Sequence, residues 1–243
     1  MLIEICVDSL EGALAAERGG ADRLELCSGL GEGGVTPGAG LVTSVCREVE
    51  IDVHAMIRPR GGDFHYSTAE LSVMREEIRV ARDLGVAGVV LGCLKENGDV
   101  DLGQVESLTA LARPCNVTFH RAFDMCRDPR EALDGLLNLG VDRILTSGQE
   151  ANCLAGVSLI AELQERAAGR IAVMPGGGVT LENVREIAAG SGVGEIHLSA
   201  RSMVESGMRH RNPRCSMGAG GAEEYRWKTT DEAIVRAVVE RFR

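Results

Sequence analysis

Aromatic side chains are scarce in this 243-residue chain: four Phe, two Tyr and one Trp, 3% of the total. That is too few for a surface that stacks bases. Positive charge is in deficit, with 26 Lys and Arg against 36 Asp and Glu and a net charge of −10. A protein that grips phosphate backbones needs the opposite balance, so no nucleic-acid partner is expected. No uninterrupted apolar run approaches the ~18 residues of a membrane span, so no membrane partner is expected either. The first residues, Met1 to Cys6, hold Glu4 and no basic cluster, which is not the pattern of an export signal. There is no C-x-x-C pair anywhere, which leaves a zinc ribbon or a thioredoxin-type motif without support. Disorder is excluded by the 44% hydrophobic content.

What is present is regular alternation. Eight short β-rich runs fall at 2–7, 23–28, 52–58, 88–94, 115–121, 142–147, 170–175 and 195–201. Segments with helical spacing follow each: 9–19, 38–49, 68–84, 101–112, 129–139, 153–168, 180–190 and 229–242. Helix starts carry capping chemistry at Asp8-Ser9, Ser67-Thr68, Asp128-Pro129 and Thr229-Thr230. Helix ends carry glycine at Gly19-Gly20, Gly85 and Gly140. Eight β-then-α units in a chain near the typical length predict one α/β domain over 1–243, a closed (β/α)8 barrel. An open doubly wound sheet is the alternative. The connection after the eighth strand, 203–228, is too long for a simple loop and reads as an insertion, either a lid or a subunit contact.

Barrel strands point alternate residues into the lumen. With Ile3, Ile5, Val7, Leu24 and Leu26 facing the helices, the first two strands turn Glu4, Cys6, Arg23, Glu25 and Cys27 inward. The same parity puts His54, Met56 and Arg58, then Thr118 and His120, then His197, Ser199 and Arg201 inside. A barrel lumen is ordinarily filled with Val, Ile and Leu, so this polar set needs partners or a ligand.

Three constellations stand out. Cys6 and Cys27 share an inward Glu-x-Cys pattern on neighbouring strands, with Met56 and His54 one strand away, and soft sulfur donors favour Cu(I). The bland alternative is two packed core thiols, or a disulfide. The other thiols, among them Cys46, Cys115, Cys126, Cys153 and Cys215, read as small buried hydrophobes or loop residues. The second constellation is the turn Pro175-Gly176-Gly177-Gly178 with Ser199 and Arg201, where barrel enzymes build phosphate sites. It reads as a site for a small anionic ligand, with Thr180 capping the next helix; the alternative is a tight turn that needs only glycine freedom. The third is Glu25, Arg58 and His120 with Arg60, Arg121, Asp124 and Ser147 at strand ends. If the chain is an enzyme, Glu25, Arg58 and His120 are its catalytic candidates, His120 titrating near neutrality. The alternative is a self-satisfied ion-pair network. His65 and the run Met208 to Asn212 read as solvated surface loops.

The stretches EICVDS (4–9), GADRLELCSGLGEGGVTP (20–37), IRPRGGDFHYS (57–67), VTFHRAFDM (117–125), ILTSG (144–148), MPGGG (174–178) and SAR (199–201) resemble the CutC copper homeostasis proteins over essentially the whole chain. The likeness is to vertebrate-type members. It implies a TIM barrel, a role in intracellular copper handling, and Cu(I) held by the cysteines at the positions of Cys6 and Cys27. It also implies a homo-oligomer, dimer or tetramer, in the cytoplasm with the nucleus as a second location. It attaches no reaction to the chain, and an enzyme or sensor for an anionic or phosphorylated metabolite remains the alternative function.

Overall fold

The structure, a computed structural model, describes residues 1–212, 214, 215, 217 and 224–243. Eight parallel strands form one sheet: β1 (Leu2–Val7), β2 (Arg23–Leu26), β3 (Asp52–Met56), β4 (Gly88–Leu91), β5 (Asn116–Phe119), β6 (Arg143–Thr146), β7 (Ala172–Pro175) and β8 (Glu195–Leu198). Each is followed by a helix: α1 (Leu10–Gly19), α2 (Ala39–Glu48), α3 (Thr68–Asp83), α4 (Leu102–Ala112), α5 (Pro129–Asn138), α6 (Val157–Ala167), α7 (Val184–Ser191) and α8 (Glu232–Val239). The order β7-β6-β5-β4-β3-β2-β1-β8 bends the sheet into a barrel, with β1 paired to both β2 and β8. Between β7 and β8 no ladder forms, so the ring has one seam.

Local chemistry sets the element ends. Ser9, Ser67 and Asp128 cap their helices as the sequence suggests, Ser67 in a full capping box with Glu70. Gly20, Gly85 and Gly140 take the left-handed backbone that follows a helix end. The outward strand residues, Ile3, Ile5, Val7, Leu24 and Leu26 among them, pack under the helices as one core. No helix among the described residues is long and apolar enough to cross a membrane.

Four expectations change. The eighth strand stops at Leu198; Ala200 turns the chain at φ 43°, and Arg201 opens a new strand, β9 (Arg201–Glu205). That strand pairs antiparallel with β10 (Arg226–Thr230), so the ends of the 203–228 insertion form a hairpin. Its residues 213, 216 and 218–223 lie outside the described ones. The hairpin claims Thr229 and Thr230, and the last helix is capped one position later by Asp231, whose side chain accepts from the Ala233 amide. Finally, α6 and α7 begin four residues later than their sequence windows. The cap position of α7 falls on Asn183 rather than Thr180, whose amide donates to Asn183 Oδ1.

Candidate functional site at the barrel mouth

The lower lumen holds a buried ionic layer. Arg23 pairs with Glu4 and reaches Glu195 at 2.6 Å, and Arg143 joins Glu195 at 3.0 Å and Thr118 at 3.3 Å. Each of these charges has a partner, which satisfies the polar parity read from the sequence.

Above this layer lies the sulfur pair. Cys6 is register partner to Glu25, and Cys27 follows two positions beyond, yet the two side chains converge so that their Sγ atoms lie 3.9 Å apart. Met56, Val90 and Leu30 pack around them. Cys27 is fully covered because the loop after β2 folds back, placing Gly34 against its sulfur. Arg58 fastens that loop. Its guanidinium donates to the carbonyls of Glu32, Gly34 and Gly62 and lies over the Phe64 ring.

Glu25 Oε2 sits 3.5 Å from Cys27 Sγ and 3.8 Å from His197 Nε2, while Oε1 is buried with no partner among the described residues. On its other side, the His197 ring meets Glu4 through Nδ1 at 2.7 Å. His197 therefore bridges two carboxylates beside the thiols. The hydrogen bond shared with Cys27 pulls the Cys6 thiol down to about 5; burial opposes this, and His197 and Glu25 add to it. Cys27 goes the other way, held protonated by that same bond and by burial. Burial, then the neighbouring Cys6 charge, raise the Glu25 carboxyl well above the usual carboxylate range. Burial works against a charged His197, but Glu25, Cys6 and Glu4 outweigh it and hold the ring cationic. The result is a thiolate–imidazolium–carboxylate line, Cys6 to His197 to Glu4, with the protonated Cys27 thiol beside it.

Cys6, Glu25 and His197 open onto a cavity of about 300 Å³. Arg58 and His120 line it as well. His120 Nδ1 accepts from the Ala122 amide at 3.1 Å, so Nε2 carries the proton, buried and without a partner among the described residues. Burial, then Arg58, push His120 down to about 3, so the expected titration near neutrality does not occur. Glu25 finds its imidazole in His197 instead. Gly177, Gly178, Ser199 and Arg201 lie on the far wall. Gly176 is spent on the sheet, its amide bonded to the Thr146 carbonyl, with Leu145 where a side chain would go. Arg60 pairs with Asp63 and Glu70, and Arg121 with Asp124 and Ser147. His65 is half exposed in its loop, and Met208 is exposed beyond β9.

Parity on the eighth strand already turned His197 inward, but it did not reveal the histidine as the centre of the cluster. Its role depends on the β1–β8 pairing, Glu4 opposite His197, which brings residues nearly the whole chain apart into contact. His54, expected beside the thiols, has no partner at either nitrogen among the described residues. Two triads, Cys6–Glu25–Cys27 and Glu4–Glu25–His197, bring potential ligand atoms within 4.8 Å of one another.

A model of the CutC family matches residues 1–202. The copper homeostasis protein cutC homolog of Homo sapiens is 53% identical over 238 residues, covering 98% of this chain and 87% of that protein. A CutC family protein of Chromobacterium violaceum is 48% identical over 239 residues, 98% of this chain and 97% of its own. A crystal structure of a CutC protein from Streptococcus agalactiae superimposes with a TM-score of 0.78 at 36% identity, covering 81% of this chain and 97% of that one.

Proposed function

This chain belongs to the CutC family of copper homeostasis, and from that premise we propose that it binds Cu(I) as cargo through the paired thiols of Cys6 and Cys27. The observation that carries this is the 3.9 Å sulfur separation. A metal–thiolate bond is roughly 2.3 Å for zinc, so one ion of similar size reaches both sulfurs. Two soft thiolates select Cu(I) over hard cations.

The surroundings support a monovalent ion. Cys6 is already ionised, and Cys27 surrenders its proton when metal arrives. Two thiolates and one Cu(I) leave a single negative charge, which the cationic His197 balances. Glu25, with Oε2 3.5 Å from Cys27 Sγ and Oε1 without a partner among the described residues, is placed to approach the ion. All eight cysteines are free thiols, which fits the reducing cytoplasm.

The test is titration of the reduced protein with Cu(I) against a competing chelator. The Cys6→Ser, Cys27→Ser double variant is expected to bind at least 100-fold more weakly. Equal affinity in wild type and double variant would overturn the proposal.

A further inference from the structure

The arginines around the mouth are not equivalent. Arg58 is committed to three loop carbonyls, Arg60 to Asp63 and Glu70, and Arg121 to Asp124 and Ser147. Arg201 differs. It lines the cavity, and among the described residues its guanidinium has neither a hydrogen-bond nor an ion-pair partner; Arg58 shares a buried, unpartnered Nε but has both terminal nitrogens bonded. A half-buried guanidinium unpaired among the described residues, in a chain with ten more acidic than basic residues, is suited to receive an anion.

The backbone opposite supplies the matching donors. Gly177 and Gly178 take φ values of 99° and 77°, a conformation that only glycine adopts readily. Their carbonyls are tied away from the cavity: Gly177 O accepts from the Cys153 amide and Gly178 O from Asn183 Nδ2. In a trans peptide the following N–H points opposite to the carbonyl. The amides of Gly178 and Val179 are thus turned to the side of the cavity that both residues line. Successive free amides in a glycine turn make an anion nest. A side chain at Gly178 would collide with Asn152, 2.8 Å from its Cβ, so the turn is fitted to bare backbone. Across the cavity the buried His120 presents an unpartnered Nε2–H.

We propose that this cavity binds a small monophosphate ester. The phosphate lies between the amides of Gly178 and Val179 and the fork of Arg201, and the organic end receives a hydrogen bond from His120 Nε2. A tetrahedral dianion uses a bidentate fork and two amides at once, which a carboxylate does less well. The volume of about 300 Å³ is at the small end for ligand pockets and suits a sugar-sized molecule. The site shares the mouth with the thiols but uses none of their atoms, so it stands or falls apart from the copper reading.

The experiment is calorimetric titration at constant ionic strength, with inorganic phosphate and then glycerol 3-phosphate as probes. Wild type and the Cys6→Ser, Cys27→Ser variant are expected to bind phosphate saturably with the same Kd. Arg201→Gln, which removes a side chain with no hydrogen-bond or ion-pair partner among the described residues, is expected to weaken Kd at least tenfold while its melting point in chloride is unchanged. Glycerol 3-phosphate is expected to bind at least tenfold more tightly than phosphate. The proposal is overturned if phosphate gives no saturable heat beyond that of chloride, or if Arg201→Gln binds like wild type. It is also overturned if the cysteine variant loses binding, or if the ester gains nothing.

Discussion

Two buried groups of the lumen make opposite demands on pH. Cys6 carries a thiol held near 5 by its bond to Cys27, where an ordinary cysteine sits near 8.5. Its alkylation by iodoacetamide should therefore be nearly as fast at pH 6.5 as at pH 8, whereas an ordinary thiol slows about tenfold per unit. Mass mapping of the modified peptides checks this; a Cys6 rate that also falls tenfold per unit would contradict the thiolate. His54 is the reverse case. Burial lowers its ring from the ordinary 6.5 to about 4. The unfolded chain takes up this proton first, so the stability His54 confers is complete above pH 6.5 and lost as pH falls toward 4. At about 1.4 kcal/mol per unit, the loss between pH 6.5 and 5 is roughly 2 kcal/mol. Urea unfolding of His54→Leu at pH 7 and pH 5 should show a pH difference smaller by about that amount. A variant that tracks wild type at both values would show that His54 does not titrate in this window.

At the scale of elements, β4 decides whether the lumen histidines fit. A Cβ at Gly88 would stand 2.6 Å from the His54 ring, and one at Gly92, just past the strand, 2.6 Å from His120. Both glycines are strand-end spacers that let large rings from neighbouring strands cross the lumen. Gly88→Ala should cost about 1–3 kcal/mol by overpacking, and His54→Ala should recover part of it in the double variant. Strictly additive costs in that cycle would show that the two sites do not touch. The elements themselves were legible because outward strand positions alternate with inward ones and the helices carry Ser, Asp and Gly at their ends. The hairpin was not. It depends on Ala200 taking a positive φ, which alanine does not advertise, and on pairing between segments more than twenty residues apart. The site was legible in composition and only partly in arrangement. Parity put Cys6, Cys27, Glu25, His120 and Arg201 at the mouth, but which imidazole serves Glu25 is a matter of register between β1 and β8. That Arg58 fastens the loop over Cys27 also follows from three backbone carbonyls, which carry no side-chain signature.

The whole molecule is a strip of eight strands rolled until its ends touch. The amides of Ala172 and Gly176 bond to the Asp142 and Thr146 carbonyls on the β6 side, so by alternation Val173 and Pro175 face β8. Proline there forfeits nothing, having no N–H to leave unpaired. Deuterium should enter the Val173 amide and the amides of β8 that face it well before the central amides of β2 to β4, as followed by exchange NMR. Equal protection all round the ring would mean that the gap is closed in solution. The two margins of the strip also carry the glycine turn and, just past Ala200, Arg201. Any momentary parting of that hem widens the doorway to the mouth without unzipping a single ladder. Passage of a visitor and local loosening of the wall would then be one event, with the other seven joins left intact to guide the strip shut again.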